Sequence, residues 1–172
     1  MIVLLMGVSG SGKTTTGEAL AAALGWRFFD GDDFHPAANV AKMAAGTPLT
    51  DDDRWPWLDS IAMEMRNILA SDGAAVFACS ALKADYRSRL QSAGDVRLVH
   101  LNGDAATIGA RLARRAHRYM PASLLSSQFA TLETPLDAVV IDIREPVPTQ
   151  IQRICDALAL RQEKTKDVPG RS

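Results

Sequence analysis

Residues 28–36 read FFDGDDFHP. They set three carboxylates (Asp30, Asp32, Asp33) and one imidazole (His35) directly after an apolar run. Side chains of these types at this spacing suit three kinds of chemistry: a cation cage, a solvated turn, or a group that takes a proton from a substrate hydroxyl. A calcium loop is disfavoured, because the ladder of oxygen ligands and its closing glutamate are absent. Asp30 and Asp32 are two apart, so on an extended segment they share a side, while Asp33 points elsewhere. We therefore read Asp32 as the carboxylate that orients or deprotonates an acceptor hydroxyl. Asp30 lies nearer a metal, and Asp33 is expected to cap the helix that follows.

A second group explains why an anion and a metal would be nearby. GVSGSGKT, residues 7–14, matches G-x-x-x-x-G-K-[ST] in full, after an apolar strand and at the start of a helical pattern. Gly7, Gly10 and Gly12 allow tight turns, and the N–H groups around Ser9, Ser11, Lys13, Thr14 and Thr15 can cradle phosphate oxygens. Lys13 should reach the β- and γ-phosphates of ATP, and the Thr14 hydroxyl should ligate Mg²⁺ beside Asp30.

The remaining polar groups suit a second substrate held in line with the γ-phosphate. His35 adjoins the proposed base and is either a substrate contact or scaffolding. Asn39 and Lys42 fall on a short helix and are available to a polar acceptor. Arg54, between an acidic turn and Trp55 and Trp57, suits bidentate contact with a carboxylate, its rival role being a pair with its own acidic neighbours. Lys83 and Arg87, in CSALKADYR, are four apart and would present two cations on one helix face to an anionic acceptor, the rival being a solvated pair. Arg111, Arg114, Arg115 and Arg118 fall within eight residues and form one cationic helix face. In a phosphotransferase such a face belongs to a lid that closes over the phosphates, Arg111 on the nucleotide and Arg115 on the transferring group, the rivals being a solvated helix face or a nucleic-acid patch.

The elements that must position these groups alternate along the chain. Strands are expected over 2–6, 26–30, 74–79, 96–101 and 138–143. The first, third and fifth are apolar almost throughout, as in strands covered on both faces of a parallel sheet. Helices are expected over 13–24, 56–70, 104–115 and 149–160. Pro56 would open the second of these, and Ile61, Met65, Ile68 and Leu69 would line its buried face. Strand–helix alternation implies right-handed crossovers and a three-layer α/β fold, a five-stranded parallel sheet with helices on both faces. We expect a single kinase domain over 1–160, a lid about 112–128, and a polar tail over 161–172.

A net charge of −1 removes the global basic field that nucleic-acid binding would favour. Cys79 and Cys155 sit far apart in apolar surroundings and read as buried free thiols, which fits a cytoplasmic protein. The opening apolar run ends after about six residues without a basic region before it, unlike a signal peptide or membrane span.

Four segments carry a resemblance: MGVSGSGKTT, DGDDFHPAANVAKMAAGTPLTDDDRWPWL, CSALKADYR and SQFATLETP. With their spacing they cover about residues 2–160 and are similar to the gluconokinases of the shikimate-kinase-like P-loop group. The middle block is more specific than the phosphate loop. The resemblance implies ATP-dependent 6-phosphorylation of D-gluconate, a mobile lid and a homodimer. Asp32 falls where the related kinases keep the carboxylate facing the acceptor, and Arg54, Lys83 and Arg87 where an acid substrate is held. One departure is in the lid, where Ala116, His117 and Arg118 stand in place of the Gly-His-Phe common in the family. Kinases of other small acids, nucleoside monophosphate kinases and a non-catalytic nucleotide-binding regulator are the competing readings.

Overall fold

The computed structural model describes residues 1–113 and 122–162, with side chains from 125 onward in the second stretch. Five strands form one sheet: β1 (Ile2–Met6), β2 (Arg27–Asp30), β3 (Ala75–Ala78), β4 (Val96–Asn102) and β5 (Val139–Asp142). Their order is β2-β3-β1-β4-β5, and every pairing is parallel. The helices are α1 (Lys13–Leu24), α2 (Ala37–Ala44), α3 (Asp51–Ala70), α4 (Ala84–Gln91), α5 (Ala105–Ala113), α6 (Ala122–Thr131) and α7 (Val147–Leu158).

Alternation within the apolar strands divides the interior in two. Val3 and Leu5 of β1 meet Leu20 and Leu24 of α1 and Ile154 of α7 on one face. Ile2, Leu4 and Met6 meet Leu58, Ile61 and Met65 of α3 on the other. All five β1 residues are wholly buried, which is why that strand carries no polar side chain. The expected fold class and strand set therefore stand, with ends moved by a residue or two.

The start of α3 differs from expectation. Thr50 and Asp53 form a reciprocal capping box: the Asp53 amide donates to Thr50 Oγ1 at 3.2 Å, and the Thr50 amide to Asp53 Oδ2 at 2.9 Å. The helix thus begins at Asp51, and Pro56 lies inside it. Two orphan amides satisfied together, with Asp51, Asp52 and Asp53 in the first turn, outweigh the one bond the proline removes. Helix α6 answers to no helix expected from periodicity; it runs over 122–131, overlapping the end of the expected lid at about 112–128. Residues 114–121 and 163–172, which carry the rest of the expected lid and most of the tail, lie outside the described residues.

Candidate active site

The loop after β1 joins that strand to α1 at the C-terminal edge of the sheet, the edge where ligands bind in open α/β folds. Gly7, Gly10 and Gly12 have φ of 142°, 83° and 100°. At Gly10 a Cβ would stand 2.8 Å from Leu112 of α5, so both the backbone angle and the close packing require glycine there. Lys13 Nζ donates to the carbonyls of Gly7 and Val8, at 3.0 and 3.1 Å, and so arches over the loop. Thr14 Oγ1 donates to Asp30 Oδ2 at 3.0 Å, which brings the end of β2 against the first turn of α1.

A cavity of about 750 Å³ opens over this loop. Ser9, Gly10, Gly12, Lys13, Thr14 and Thr15 line one side; Asp30, Asp32, His35 and Arg54 line another. The two Asp side chains do not share an extended segment, because β2 ends at Asp30 and a 3₁₀ turn runs over Gly31–Phe34. Asp30 Oδ1 accepts from the Asp32 amide at 3.1 Å and so caps that turn. The period-two argument for Asp30 and Asp32 is thereby corrected, although both reach the cavity. Asp33 is exposed and caps nothing; Pro36 occupies the N-cap of α2.

The turn is anchored from below. Gly31 is buried, and its carbonyl accepts from Trp57 Nε1 of α3 at 2.6 Å. The His35 ring stacks on Trp57, with centroids 4.2 Å apart and planes 16° from parallel. Burial pushes the His35 imidazole below its ordinary pKa; Asp32 opposes this and Arg54 adds to it. The ring is therefore neutral near pH 7 and can accept or donate one hydrogen bond to a polar ligand. Asn39 sits 3.4 Å from His35 Nδ1 and donates to the Asp53 carbonyl at 2.8 Å, tying α2 to α3. Cys79 lies on the cavity floor, and burial pushes its thiol up to about 12, which leaves it protonated and unreactive.

Several expected contacts stand elsewhere. Lys42 does not line the cavity; it pairs with Asp53 at 2.6 Å. Lys83 also stands outside, bonded to Asp51 at 2.6 Å, and the Tyr86 hydroxyl donates to the same carboxylate. Arg87 is 6% exposed and donates to the carbonyls of Ala81 and Leu82, at 3.2 and 3.0 Å. Lys83 and Arg87 thus do not form one cationic face toward an acceptor: a guanidinium at this depth needs local acceptors, and its own loop supplies them. Arg54 does reach the cavity while keeping a 3.6 Å pair with Asp51. Gly7 and Ser11 support the loop from behind, Ser11 being 1% exposed. Arg111 donates to the Ile143 carbonyl, and its Nη1 would stand 3.8 Å from a Cβ at Gly12, against the outer wall of the loop. Arg114, Arg115 and Arg118 lie outside the described residues.

Sequence reasoning gave no role to Gln128 of α6. Its Oε1 accepts from the Ser9 amide at 2.6 Å, and the residue lines the cavity. The only signal was its place in SQFATLETP, since the two partners are 119 residues apart.

A parallel 2-3-1-4-5 sheet, a phosphate loop after its central strand and a cavity joining that loop to a carboxylate turn define a P-loop kinase of small molecules. The model of the shikimate kinase family matches residues 9–163. A gluconokinase of Gluconobacter oxydans is 49% identical over 138 residues, covering 78% of this chain and 76% of the relative. The thermosensitive gluconokinase of Escherichia coli is 43% identical over 167 residues, covering 94% and 89%. The crystal structure of a gluconokinase from Sinorhizobium meliloti superposes with a TM-score of 0.82 at 41% identity, covering 91% of this chain and 90% of that one. The chain belongs to the gluconokinases of the shikimate kinase family.

Proposed function

We propose that the protein phosphorylates D-gluconate at its 6-hydroxyl, with ATP as donor, giving 6-phosphogluconate. The observation that carries this reading is the single cavity lined by Lys13 and Thr14 on one side and by Asp32, His35 and Arg54 on the other. Two substrates entering it meet between a phosphate cradle and a carboxylate.

The residues divide the work by chemistry. The N–H groups from Gly12 to Thr15 hold the phosphates, and Lys13 leaves its carbonyl partners for the β- and γ-oxygens. Asp32 orients the acceptor hydroxyl and takes its proton as the bond to phosphorus forms in line with the leaving ADP. Arg54 meets the carboxylate of the acid, and neutral His35 holds one of its hydroxyls. Thr14 and Asp30, already 3.0 Å apart, fit Mg²⁺, a hard cation with oxygen ligands that enters with ATP. When bound, it neutralises phosphate charge. Lys42, Lys83 and Arg87 act at one remove, by holding α2, α3 and the loop after β3. Arg111 flanks the nucleotide side, and Arg115, in the basic segment, closes on the transferring group.

The same reading carries a single kinase domain with a lid, a cytoplasmic location and a homodimer. No helix among the described residues is long and apolar enough to cross a membrane. Leu136, exposed just before edge strand β5, and Val140, exposed within it, supply apolar surface that a second copy would cover.

The test is ADP release from ATP with a panel of sugar acids, shikimate and nucleoside monophosphates. D-Gluconate should give the largest stimulation. If another acceptor is preferred, the assignment to gluconate falls and the kinase class stands; tight ATP binding with no acceptor-dependent turnover sinks both.

A further inference from the structure

The phosphate loop is gripped at three points besides its own turns. Gly7 donates to the Ser80 carbonyl at 3.3 Å, Gly10 lies against Leu112 and Ile108 of α5, and Ser9 donates to Gln128 at 2.6 Å. The third grip differs in kind, since it is a side-chain bond from an element distant in sequence. Helix α6 can bear it because Leu125 is buried in the core and Phe129 packs against the same cluster. Five residues beyond Gln128, Glu133 makes two more contacts. Its Oε2 accepts from the Ala84 amide at 2.6 Å, at the first turn of α4, and its own amide donates to the Leu82 carbonyl at 2.9 Å. A carboxylate at that helix start satisfies an orphan amide and complements the helix dipole. These bonds fix the loop after β3, which brings Ser80 to the cavity.

We propose that α6 and the residues after it form a bracket in which Gln128 is a positioning residue for the nucleotide. Its carbonyl oxygen holds the Ser9 amide and so sets the curvature of the phosphate loop. Glu133 holds the adjoining loop after β3, whose Ser80 also lines the cavity. Gln128 acts through the Ser9 backbone, so its loss falls on nucleotide affinity and spares the acceptor, which is held by α3 and the turn after β2. This rests on the reading of residues 7–14 as a nucleotide site, not on the identity of the acceptor.

Two variants test it. Gln128→Met keeps the length of the side chain and removes the strong acceptor; Gln128→Glu keeps an oxygen at the same reach. Hydrogen exchange at the Ser9 amide, read by NMR on the nucleotide-free full chain, should accelerate about fivefold to tenfold in the Met variant, the factor one half-buried hydrogen bond carries. In the Glu variant exchange should stay slow. The Kd for ADP by calorimetry should rise about fivefold in the Met variant, with the KM for gluconate within twofold and Tm little changed. Ser9 exchange and ADP affinity both unchanged by Gln128→Met would overturn the proposal. So would a joint loss of Tm, nucleotide affinity and acceptor affinity, which marks a merely structural residue. Both exchange and ADP binding are read without turnover, so failure of the gluconate assignment leaves this test intact.

Discussion

Gly31→Ala is a one-carbon change that should separate the placement of the acceptor carboxylate from its chemistry. Gly31 is buried between Asp30 and Asp32, and a Cβ there would stand 2.6 Å from the Ala78 carbonyl, 3.3 Å from Cys79 Cβ and 3.4 Å from Ile61 Cδ1. The first neighbour is strand backbone and cannot swing aside. Restoring an ordinary separation of about 3.2–3.4 Å requires the turn to lift by about 0.6–0.8 Å. The bond from Trp57 Nε1 to the Gly31 carbonyl, 2.6 Å now, stretches with it. Overpacking of this kind costs about 1–3 kcal/mol of stability. A displacement approaching 1 Å at a reacting group costs about a hundredfold in rate. We expect kcat for gluconate phosphorylation to fall between tenfold and a hundredfold, with the KM for ATP changed less than threefold because the phosphate loop is untouched. Steady-state kinetics with both substrates, beside urea denaturation, reads both quantities. A variant with wild-type kcat and wild-type stability would refute the reasoning, since it would mean that the turn can lift without moving Asp32.

Asp32→Asn should lower kcat by about two to four orders of magnitude with ADP affinity retained, because proton handling is lost and phosphate binding is not; near-normal turnover would return the role to another group. Arg54→Ala should raise the KM for gluconate about tenfold or more and leave the KM for ATP within twofold; an unchanged gluconate KM would restrict Arg54 to its pair with Asp51. The Asp53 carboxyl is held at about 2, first by Lys42 and then by the Thr50 amide, against an ordinary 3.8. A depressed folded pKa means that its stabilisation is complete above pH 3.8 and is lost as the pH falls toward 2. Lys42→Met removes the larger cause, so the midpoint of acid unfolding, followed by tryptophan fluorescence, should move upward in pH; an unmoved midpoint would discount the pair.

Local features were legible in the sequence, and long-range ones were not. The phosphate loop could be read because one apolar strand, three glycines and a lysine lie within thirteen residues and need no distant partner. The sheet could be read because strands covered on both faces are apolar throughout. The acidic turn was legible in composition but not in geometry: Asp30 caps the 3₁₀ turn with its own side chain, and the strand ends there, two residues before the period-two argument required. The start of α3 was hidden because Asp53 looks like any member of an acidic run, while its bond to Thr50 makes it half of a cap. Lys83 and Arg87 have helix-face spacing, but Lys83 stands at the N-cap of α4 and Arg87 turns back to its own loop. Arg54 had two readings, a pair with its acidic neighbours and a grip on an acceptor carboxylate; the pair with Asp51 is present and the residue lines the cavity, while the grip belongs to the proposed function. Spacing carries no information about Gln128, whose partner is brought to it only by the completed fold.

The two sides of the cavity are built on ground of very different firmness. The nucleotide side grows from β1, every residue of which is wholly buried. The acceptor side stands on the turn after β2 and on α3, but its outer rim, with Met43, Thr47 and Leu49, is α2 and the loop after it, where Asn39 alone is buried in the helix and the rest hangs from a few polar ties to α3. Substitutions in residues 37–49 therefore remove little core packing, while substitutions under the phosphate loop remove much. Over evolutionary time such a chain can change the acid it accepts more readily than the nucleotide it spends, because new acceptor preferences can be tried on a surface whose failure does not unfold the protein.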